Sequence, residues 1–495
     1  MSIVYNKKRY MNTQLSKIFG VMKNPDDKDK ALVEKAYHFA QNAHKDQLRK
    51  SGEPYFSHVF ATAYNLAELG MNSIIISAGF LHDVLEDTPT TEEELEKEFG
   101  KEIVSLVNGV TKLGTVKYKG VERNVENLRK FFISMAEDMR VLVIKLADRL
   151  HNIETLEFVR PDKQRRIALE TLEVYAPLAN RLSMSILKGR LEDAAFKFAY
   201  PKEYKEVSQI LLDKKDVKEK YLLEVKHKLL EKFKHEHIKN AEINSRQKHL
   251  YSLWRKLQKY NMDVGKIYDI IALRVMVNTV SECYHVLGII HGEWTPMPHR
   301  FKDYIAVPKA NGYQSLHTTI FTGTGGIVEI QIRTHAMHEQ AENGLAAHFA
   351  YKEKGLDPKQ FNWIKELNDL NVQENEKPEK FLETIKINFF KDRVFIFTPK
   401  GDIIDLPEGA SVVDFAYAIH TDLGNHAQGA RINGKNAALH TVLKTHDIVE
   451  VQVNKNAKPS SKWLDFAKTS LARREINSYQ KDHSLLSRFR AFGKS

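Results

Sequence analysis

Apolar residues recur at three- and four-residue spacing through the first part of the chain. The segments ALVEKAYHFAQNAH and HVFATAYNLAEL show this spacing, which is typical of amphipathic helices. Thr90 or Thr91 before a run of acidic residues predicts a helix start, and Gly100 predicts where that helix ends. Because β-type alternation is scarce between Lys28 and Arg190, the pattern predicts an all-helical first domain.

The pattern then changes, first to a charged helix and afterwards to short β-branched runs. The Lys/Glu-rich stretch Pro201–Lys239 keeps its apolar positions on one face, which predicts a long surface helix joining two domains. The predicted strands that follow are Ile267–Val277, Tyr304–Val307 and Ile327–Ile332. Helical patterns occupy His249–Tyr260 and His335–Lys354. Strands interspersed with helices predict a mixed α/β second domain.

The last part of the chain begins with a polar linker and continues as a compact unit with its own strands. The segment DRVFIFTPKGDIIDLPEGASVVDFAYAIH predicts a β-hairpin with a Pro-Lys-Gly-Asp turn, followed by a helix. ARINGKNAAL and DIVEVQV predict further strands, the first with an Asn-Gly turn. The predicted parts are a helical domain at 1–200, a mixed domain at 201–352, a helical linker at 353–385, a small domain at 386–455 and a basic helical tail at 456–495.

Composition excludes several classes of protein. Hydrophobic residues make up 42% and charged residues 28% of the 495 residues, which is typical of a folded chain and not of a disordered one. The apolar run Ile74–Leu81 is far shorter than a membrane-spanning helix requires, and the N-terminus lacks the pattern of a secretory signal. Since Cys283 is the only cysteine, an intrachain disulfide and a cysteine-built zinc site are excluded. These features predict a cytoplasmic protein.

The charge balance is basic, with 75 lysines and arginines against 64 acidic residues and a formal net charge of +11. Such a balance favours polyanionic partners such as nucleotides or RNA. A solvated basic surface gives the same composition, so the position of particular residues has to decide between the two.

Histidine and aspartate residues of the helical domain form a candidate metal site. His58 follows GEPYFS, His82-Asp83 lies in GFLHDVLEDT, and Asp148 lies in VLVIKLADRLHNIETL. Imidazole nitrogens combined with carboxylate oxygens suit Mn²⁺, iron or Zn²⁺. A lone histidine in a helix is more often structural, so the metal prediction depends on these four residues meeting in the fold.

Further charged residues accompany the candidate ligands. Asp83, Glu86 and Asp87 are spaced i, i+3 and i+4 and share a helix face, although an acidic run is also typical of a solvated surface. A polar face within an apolar run is formed by Lys145, Asp148, Arg149 and Asn152. Buried polar groups need partners, so this face is expected to meet other charged groups.

The helical pattern resembles the HD-type metal phosphohydrolases. In that class a metal-bound water can attack phosphorus near neutral pH. The resemblance implies that Glu86 and Asp87 hold or activate the water, and that Arg49 and Lys50 of QLRKSGEPY bind substrate phosphates.

The mixed domain carries a second set of functional residue types. Its cations are Arg300, Lys302, Lys309, His317 and Arg333, with Arg246, Lys248, Arg255 and Lys256 upstream on a predicted helix start. Asp269 precedes the run IIALRVMV, and Glu329 lies in VEIQIR. Because alternate strand residues face one side, Glu329, Gln331 and Arg333 are predicted to point the same way. A strand carboxylate facing a cleft can hold Mg²⁺ or take a proton from a sugar hydroxyl, whereas the alternative is a surface stripe of salt bridges.

In their order along the chain, these segments resemble the long RelA/SpoT homologues, which make and destroy the alarmone (p)ppGpp. The matching stretches are RKSGEPY, HDVLEDT, KLADRLHN, RFKDYIAVPKANGYQSLHTT, VEIQIRT and FTPKGDIIDLPEGASVVDFAYAIH. They extend over nearly the whole chain in three blocks, and the basic RFKD stretch is similar to the bifunctional branch. The resemblance implies a multidomain fold with an all-α HD-type hydrolase domain, a nucleotidyltransferase-like synthetase domain of mixed α/β structure and a small β-grasp TGS domain.

For the hydrolase domain, the resemblance implies a Mn²⁺ site and the removal of the 3′-pyrophosphate of (p)ppGpp by water. The implied metal ligands are His58, His82, Asp83 and Asp148. Glu86 and Asp87 match the acid pair that activates the water. Arg49, Lys50 and Asn152 match substrate contacts.

For the synthetase domain, the resemblance implies transfer of pyrophosphate from ATP to the ribose 3′-oxygen of GDP or GTP. Asp269 matches the Mg²⁺ ligand, and Glu329 matches the residue that assists deprotonation of the 3′-hydroxyl. The residues implied for ATP are Arg246, Lys248 and Lys256 at the phosphates, with Arg246 and Arg274 near adenine. The residues implied for the acceptor are Lys302, Lys309, Asn311 and His317, with Tyr313 stacked on guanine.

In the third block, His420 matches the position that touches the tRNA 3′ end in ribosome-bound relatives, which implies uncharged tRNA and the ribosome as partners. Two positions depart from the family pattern: His299 replaces a usual glycine, and Val59 replaces the proline after the metal histidine. The sequence stops at Ser495, so the regulatory domains that follow TGS in long relatives are expected to be missing. Two other functions stay open, namely a hydrolase whose synthetase domain only senses nucleotides and a tRNA- or ribosome-binding regulator.

Overall fold

A computed structural model describes residues 13–114, 138–309, 311–344 and 393–492 of the chain. The chain divides into two compact units, the first formed mainly by residues up to Val372 and the second mainly by Gln373–Ser495. The predicted linker at 353–385 lies outside the described residues. Among the helices that are described, none combines the length and apolar character needed to cross a bilayer.

The first part of the chain is helical, as the spacing of its apolar residues predicts. Its helices are α1 (13–21), α2 (Asp27–Ala43), α3 (Phe56–Glu68), α4 (Ser73–Leu81), α5 (Val84–Asp87), α6 (Glu92–Gly114), α7 (Met139–Glu154), α8 (Pro161–Glu170), α9 (Ala176–Arg181) and α10 (Ser185–Ala199). Helix α6 is interrupted at Gly100, whose φ of 78° lies in the left-handed region, so the predicted helix end is confirmed there. A π-helical turn, Thr171–Tyr175, connects α8 to α9.

Helix α4 is the buried centre of this domain and fixes where the candidate metal ligands lie. Almost every residue of α4 is buried, because its sequence SIIISAGFL is apolar on all faces. Gly79 allows α3 to approach closely, since a Cβ there would lie 2.4 Å from a methyl carbon of Leu66. The helix ends at Leu81, so His82 and Asp83 follow directly from a rigidly packed element.

The predicted long helix is confirmed as α11 (Pro201–His235), which begins with proline in its first turn, where a missing N–H costs nothing. A sheet of five strands follows: β1 (Glu242–Gln247), β2 (Ile271–Val277), β3 (Lys302–Asp303), β4 (Leu316–Phe321) and β5 (Ile327–Thr334). Their order across the sheet is β1-β2-β5-β4-β3. Only the central pair, β2 and β5, is parallel.

The helices of this mixed domain are α12 (Leu250–Lys259), α13 (Val280–Glu293) and α14 (His335–Asn343). Helix α12 lies within its predicted range. Helix α14 begins at the predicted His335 but ends at Asn343, where Gly344 has a φ of 54°, and residues 345–354 of the predicted helix lie outside the described residues. The predicted strand at Tyr304–Val307 is wrong. Asp303 Oδ1 accepts hydrogen bonds from the backbone N–H groups of Ile305 and Ala306, at 2.9 and 2.8 Å, which closes a turn in place of a strand.

The second unit contains the small domain and the tail. Its elements are β6 (Arg393–Phe397), β7 (Ile403–Pro407), α15 (Val412–Ile419), α16 (Thr421–Asn425), β8 (Ala427–Ile432), β9 (Lys435–Ala437), β10 (Val449–Val453) and α17 (Ser470–Phe492). The predicted hairpin and helix are confirmed, and Asn433 and Gly434 both have positive φ, as a two-residue hairpin turn requires. The tail is α-helical only from Ser470, because the described residues before it form a 3₁₀ turn at Ser461–Asp465 and irregular backbone.

Candidate active sites

Three of the four predicted metal ligands meet in the helical domain. His58 comes from α3, His82 directly follows α4, and Asp148 comes from α7. All three are buried, and one potential ligand atom of each lies within 4.8 Å of the others. The sequence brings them together because α3, α4 and α7 pack on one another through apolar faces that leave these polar groups at a common point.

The hydrogen bonds of the histidines leave their Nε2 atoms for a ligand. His82 Nδ1 donates to the carbonyl oxygen of Gly79 at 2.8 Å, so Nε2 is the nitrogen that a metal can bind in place of a proton. That Nε2 is buried and forms no well-directed hydrogen bond, although Asp83 Oδ2 lies 3.2 Å away. His58 Nε2 lies 3.3 Å from Asp148 Oδ1 and 3.4 Å from Asp83 Oδ2. Nitrogens and carboxylate oxygens aimed at one point fit a divalent transition metal.

The electrostatics of the cluster keep its carboxylates ionised. Burial alone would raise the pKa of Asp148, but Lys145 and the two histidines lower it well below the usual range. Lys145 Nζ lies 2.7 Å from Asp148 Oδ2, which leaves Oδ1 directed at the histidines. For His82, burial would lower the pKa, whereas Asp83 and Asp148 raise it to about 9. These directions describe a negative pocket that attracts a cation.

The three acidic residues predicted to share a helix face, Asp83, Glu86 and Asp87, have different surroundings. Tyr55 hydroxyl lies 2.7 Å from Asp83 Oδ2 and 2.8 Å from Asp87 Oδ2, so it links these two carboxylates. Glu86 is exposed, and its pKa is raised first by partial burial and then by Asp83 and Asp87. A carboxylate with a raised pKa beside a metal pocket suits proton transfer better than metal binding.

The predicted polar face of α7 divides between two tasks. Asn152 Nδ2 donates to Asp148 Oδ1 at 2.5 Å, so it joins Lys145 around that carboxylate. Arg149 instead contacts Glu170 at 3.2 Å and the Tyr175 hydroxyl at 2.9 Å. Arg149 therefore ties α7 to the π-helical turn and does not face the site.

The two residues predicted to bind substrate phosphates, Arg49 and Lys50, also differ in their surroundings. Arg49 reaches α7, where Nη2 donates to Asn152 Oδ1 at 3.2 Å and Nη1 donates to Thr155 Oγ1 at 3.2 Å. Arg49 Nη1 also lies 3.3 Å from His151 Nδ1. Lys50 is exposed, consistent with a role that begins only when a ligand is bound.

Sequence reasoning missed Tyr55, His151 and Thr155, which contact the predicted residues directly. His151 lies one turn after Asp148 on α7, so helical periodicity could have found it. Its ring is stacked on that of His58, with centroids 5.1 Å apart. Burial, assisted by His58 and Arg49, lowers the pKa of His151 to about 3.

In the mixed domain, Asp269 precedes β2 and is held by two cations. Lys248 Nζ and Lys256 Nζ lie 2.5 and 2.7 Å from its two oxygens. Burial would raise the pKa of Asp269, but the two lysines lower it well below the usual range. The placement of Arg246 and Lys248 on a helix start is wrong, because Arg246 lies on β1 and Lys248 follows that strand. Their polar strand, EINSRQ, carries little apolar signal for prediction.

Glu329 lies on β5, and its side chain shares a face with Gln331 as strand alternation predicts. Gln331 Nε2 donates to Glu329 Oε1 at 3.2 Å, and Arg246 Nη1 donates to Gln331 Oε1 at 3.3 Å. His317 Nδ1 lies 3.4 Å from Glu329 Oε1, on the adjacent strand β4. Burial would raise the pKa of Glu329, but the His317 contact lowers it, so the carboxylate is ionised.

Tyr313 is close to two other residues that are predicted to bind the acceptor nucleotide, GDP or GTP. Its hydroxyl lies 2.8 Å from His317 Nε2, and Lys309 Nζ lies 4.8 Å from the centre of its ring. The same ammonium lies 4.6 Å from the ring of Tyr304, which sequence reasoning missed. Lys302 is exposed on β3, opposite His317 in the strand register.

Two predicted nucleotide residues have structural partners. Arg274, predicted near adenine, lies 3.0 Å from Glu342, which also binds Arg333 at 2.8 Å. Asn311 Nδ2 donates to the carbonyl oxygen of Asn180 at 3.3 Å, so the acceptor loop contacts the helical domain.

His299 and His420 are both exposed. His299 has a φ of 59°, in the left-handed region that favours glycine, so a histidine here carries backbone strain. In the second unit, His420 Nδ1 accepts from the backbone N–H of Asp422 at 3.2 Å, at the junction of α15 and α16.

Family models match all three folded parts of the chain. The model of the HD domain matches residues 36–185, the model of the region found in RelA/SpoT proteins matches residues 245–356, and the model of the TGS domain matches residues 394–452. These matches confirm the predicted fold class and the order of the domains, while the exact boundaries stay predictions. An HD domain with this donor set is a divalent metal site.

The chain is also similar to curated bacterial proteins. It is 47% identical over 456 residues to the guanosine-3′,5′-bis(diphosphate) 3′-pyrophosphohydrolase of Aquifex aeolicus, covering 91% of this chain and 64% of that protein. It is 45% identical over 463 residues to the GTP pyrophosphokinase of Myxococcus xanthus, covering 92% and 61%. It is 42% identical over 468 residues to the bifunctional (p)ppGpp synthase/hydrolase SpoT of Escherichia coli, covering 92% and 66%.

The chain spans less than two thirds of the length of each of these relatives. Along this chain, the HD, RelA/SpoT and TGS matches follow one another in that order. The chain therefore belongs to the RelA/SpoT family.

Proposed function

We propose that the chain is a bifunctional alarmone enzyme that makes and hydrolyses (p)ppGpp at two separate sites. The observation that carries this proposal is the presence of two complete sets of charged groups in different domains. One is the cluster of His58, His82 and Asp148. The other is the pair of ionised carboxylates Asp269 and Glu329 beside the cations of the sheet. Relatives that bear the names of both activities support it.

In the hydrolase domain, the metal ligands are His58, His82, Asp83 and Asp148. When bound, Mn²⁺ supplies positive charge that polarises a water and the phosphate oxygens. Glu86 and Asp87 position the water and accept its proton. The water oxygen bonds to the phosphorus on the ribose 3′-oxygen, the P–O3′ bond breaks, and the 3′-oxygen regains a proton. Arg49, Lys50 and Asn152 hold the substrate phosphates.

In the synthetase domain, Glu329 accepts the proton of the ribose 3′-hydroxyl of GDP or GTP. The 3′-oxygen then bonds to the β-phosphorus of ATP, and the bond to the α-phosphate breaks to release AMP. Asp269 would hold Mg²⁺, which would supply positive charge against the phosphates. Its present partners, Lys248 and Lys256, would exchange that carboxylate for the ATP phosphates, with Arg246 beside them. Lys302, Lys309, Asn311, Tyr313 and His317 bind the acceptor nucleotide, and Arg274 lies toward adenine.

Nucleotide chromatography of two reactions tests the proposal. The first reaction contains ATP, GDP or GTP and Mg²⁺, and the second contains ppGpp and Mn²⁺. We expect AMP in the first, together with ppGpp from GDP or pppGpp from GTP, and we expect GDP and pyrophosphate in the second. Replacing Mn²⁺ by a chelator should stop hydrolysis, and adding Mn²⁺, Mg²⁺ or Zn²⁺ separately identifies the metal.

Paired variants separate the two sites. Asp269→Asn and Glu329→Gln should each abolish synthesis and retain hydrolysis, whereas Asp148→Asn should do the reverse. Each new amide side chain is close in size to the carboxylate that it replaces, so each variant acts as the folding control for the others. One substitution that eliminates both activities in a folded chain would contradict the assignment of separate sites.

Binding to tRNA or the ribosome is a second candidate function, in a cytoplasmic protein. The TGS match and the exposed position of His420 favour it. Filter binding of uncharged tRNA should give saturable retention that His420→Ala weakens. Retention that is unchanged by this substitution would assign tRNA binding to general basic charge.

A further inference from the structure

His151 connects the candidate metal site to the predicted substrate-binding arginine. Its Nδ1 atom lies 2.9 Å from His58 Nδ1 and 3.3 Å from Arg49 Nη1. The first neighbour is a metal ligand and the second a phosphate contact in the proposed hydrolase. A single imidazole nitrogen on α7 is thus shared between the two tasks.

The arginine determines which of the two histidines carries the proton. A guanidinium group can only donate hydrogen bonds, so Nδ1 of His151 must be the acceptor in its contact with Arg49. An unprotonated Nδ1 of His151 can form a hydrogen bond with His58 only if His58 Nδ1 is the donor. The Nδ1-protonated tautomer of His58 has a free lone pair on Nε2, the atom that faces Asp83 and Asp148.

The same tautomer is fixed at the other histidine by different means. His82 Nδ1 donates to the carbonyl oxygen of Gly79, which is part of the preceding helix α4 and needs no third residue. For His58, the corresponding acceptor is the side chain of His151. Asp148 and His151 are three residues apart on α7, so one helix supplies both a ligand and the partner of another ligand.

We propose that His151 is a positioning residue that holds His58 in its metal-binding tautomer and orients Arg49 toward the phosphates of the hydrolase substrate. This inference rests on the proposed hydrolase function. It predicts that removing the hydrogen-bond acceptor at residue 151 weakens metal binding and substrate binding together, because His58 and Arg49 both lose their contact with His151 Nδ1.

Metal affinity provides a test that does not depend on turnover. Mn²⁺ binding is measured by calorimetric titration of the full chain after chelation, for the wild type, His151→Ala and His151→Asn. Losing the hydrogen-bonded partner of a metal-binding histidine typically reduces metal affinity by about 10- to 100-fold. We expect that loss in His151→Ala, with most of the affinity restored in His151→Asn, whose Oδ1 is placed to accept at the position of Nδ1.

Thr155→Val is the matched control. Thr155 Oγ1 accepts from Arg49 at 3.2 Å, like His151, but no contact joins it to His58 among the described hydrogen bonds. This variant should raise KM for ppGpp and leave Mn²⁺ affinity unchanged. His151→Ala should change both quantities.

The outcomes distinguish the inference from the proposed function. Wild-type Mn²⁺ affinity in His151→Ala would overturn the inference while leaving the hydrolase intact. Equal weakening in His151→Ala and His151→Asn would assign the residue a packing role and also overturn it. If the wild type itself bound no Mn²⁺, the metal assignment of the proposed function would fail as well. Should His151→Ala not fold, as measured by thermal unfolding without metal, His151→Leu takes its place, because leucine keeps most of the bulk of the ring but offers no acceptor to His58. Wild-type Mn²⁺ affinity in His151→Leu would overturn the inference.

Discussion

At the scale of single residues, both candidate sites depend on buried charges that are balanced by a few close partners. Arg333 is 1% exposed, yet its guanidinium contacts both Glu342, at 2.8 Å, and His338 Nδ1, at 2.7 Å. Such a group would be costly to bury without these acceptors. The neutral form of His338 is therefore part of how the synthetase sheet accommodates a buried arginine.

Protonation of His338 should destabilise the folded chain. Burial, together with Arg333 and Arg274, lowers the pKa of His338 to about 4, against the opposing effect of Glu342. The unfolded chain, with a pKa near 6.5, then binds more protons between these values, so stability falls as pH falls from 6.5 to 4. The loss amounts to at most about 1.4 kcal/mol per pH unit in that window.

His338→Asn isolates this contribution, because Asn retains an acceptor for Arg333 but does not titrate. Thermal unfolding of the metal-free chain at pH 7 and pH 4.5 should show the wild type losing more stability than the variant. Parallel losses in both proteins would mean that the pKa of His338 is the same in the folded and the unfolded chain.

The residue scale also shows what could be predicted from the sequence. His58, His82 and Asp148 could be selected because their local motifs are distinctive, and the structure brings them within ligand distance. His151 and Tyr55 were missed because their roles depend on which helices pack together. Arg149 shares the predicted face with Asp148, but its partners, Glu170 at the end of α8 and Tyr175 on the π-helical turn, could not be known from spacing.

At the scale of elements, regular apolar patterns predicted the helices well, and polar strands were the difficulty. Strand β1, EINSRQ, buries only Ile243, so its sequence lacks the alternation that identifies a strand. It forms through register with the apolar strand β2, in which Arg246 pairs with Ala272. Turns closed by side chains, such as the one at Asp303, are equally invisible to an apolar pattern.

The end of α14 is an element boundary where the backbone itself makes contact. Gly344 has a φ of 54°, and a Cβ there would lie 2.0 Å from the carbonyl oxygen of Leu182. Neither backbone can retreat without moving its helix, so Gly344→Ala should lower the thermal midpoint clearly and reduce synthesis, because α14 carries Glu342. Differential scanning fluorimetry and the synthesis assay measure the two effects.

Two alanine variants separate contact from conformation. Gly323→Ala introduces strain from its φ of 81° but meets no atom within 4 Å, so its effect should be smaller. Gly288→Ala lies within α13 with open space around it and should be neutral or stabilise by up to about 1 kcal/mol. Equal effects of Gly344→Ala and Gly323→Ala would show that the close approach to Leu182 is unimportant.

At the scale of the whole molecule, the first unit joins the helical domain to the synthetase domain by a shorter route than the long helix α11. Asp193 on α10 accepts from the backbone N–H of Tyr251 at 3.0 Å and contacts His249 Nδ1 at 2.9 Å. A residue of the helical domain therefore caps the N-terminus of α12. That helix carries Lys256, which holds Asp269.

Asp193→Ala should consequently reduce synthesis while leaving hydrolysis near the wild-type rate. A lost N-terminal cap costs about 1 kcal/mol, and this cap belongs to the helix that bears Lys256, the partner of Asp269. The comparison of kcat for both reactions in one preparation measures the selectivity. Asp193→Asn, which keeps an acceptor for Tyr251, should have an intermediate effect.

Asn72→Ala provides the matched control for this experiment. Asn72 Oδ1 accepts from the backbone N–H of Ile75 at 3.1 Å, so its removal also takes away a helix cap, but one that lies wholly inside the helical domain. It should lower stability without a selective loss of synthesis. If the two variants affected synthesis equally, the cap at Asp193 would contribute only to general stability. A loss of synthesis confined to Asp193→Ala would instead mean that the helical domain sets the position of α12 through this cap, and with it the position of Lys256 against Asp269, the residue that we propose holds Mg²⁺.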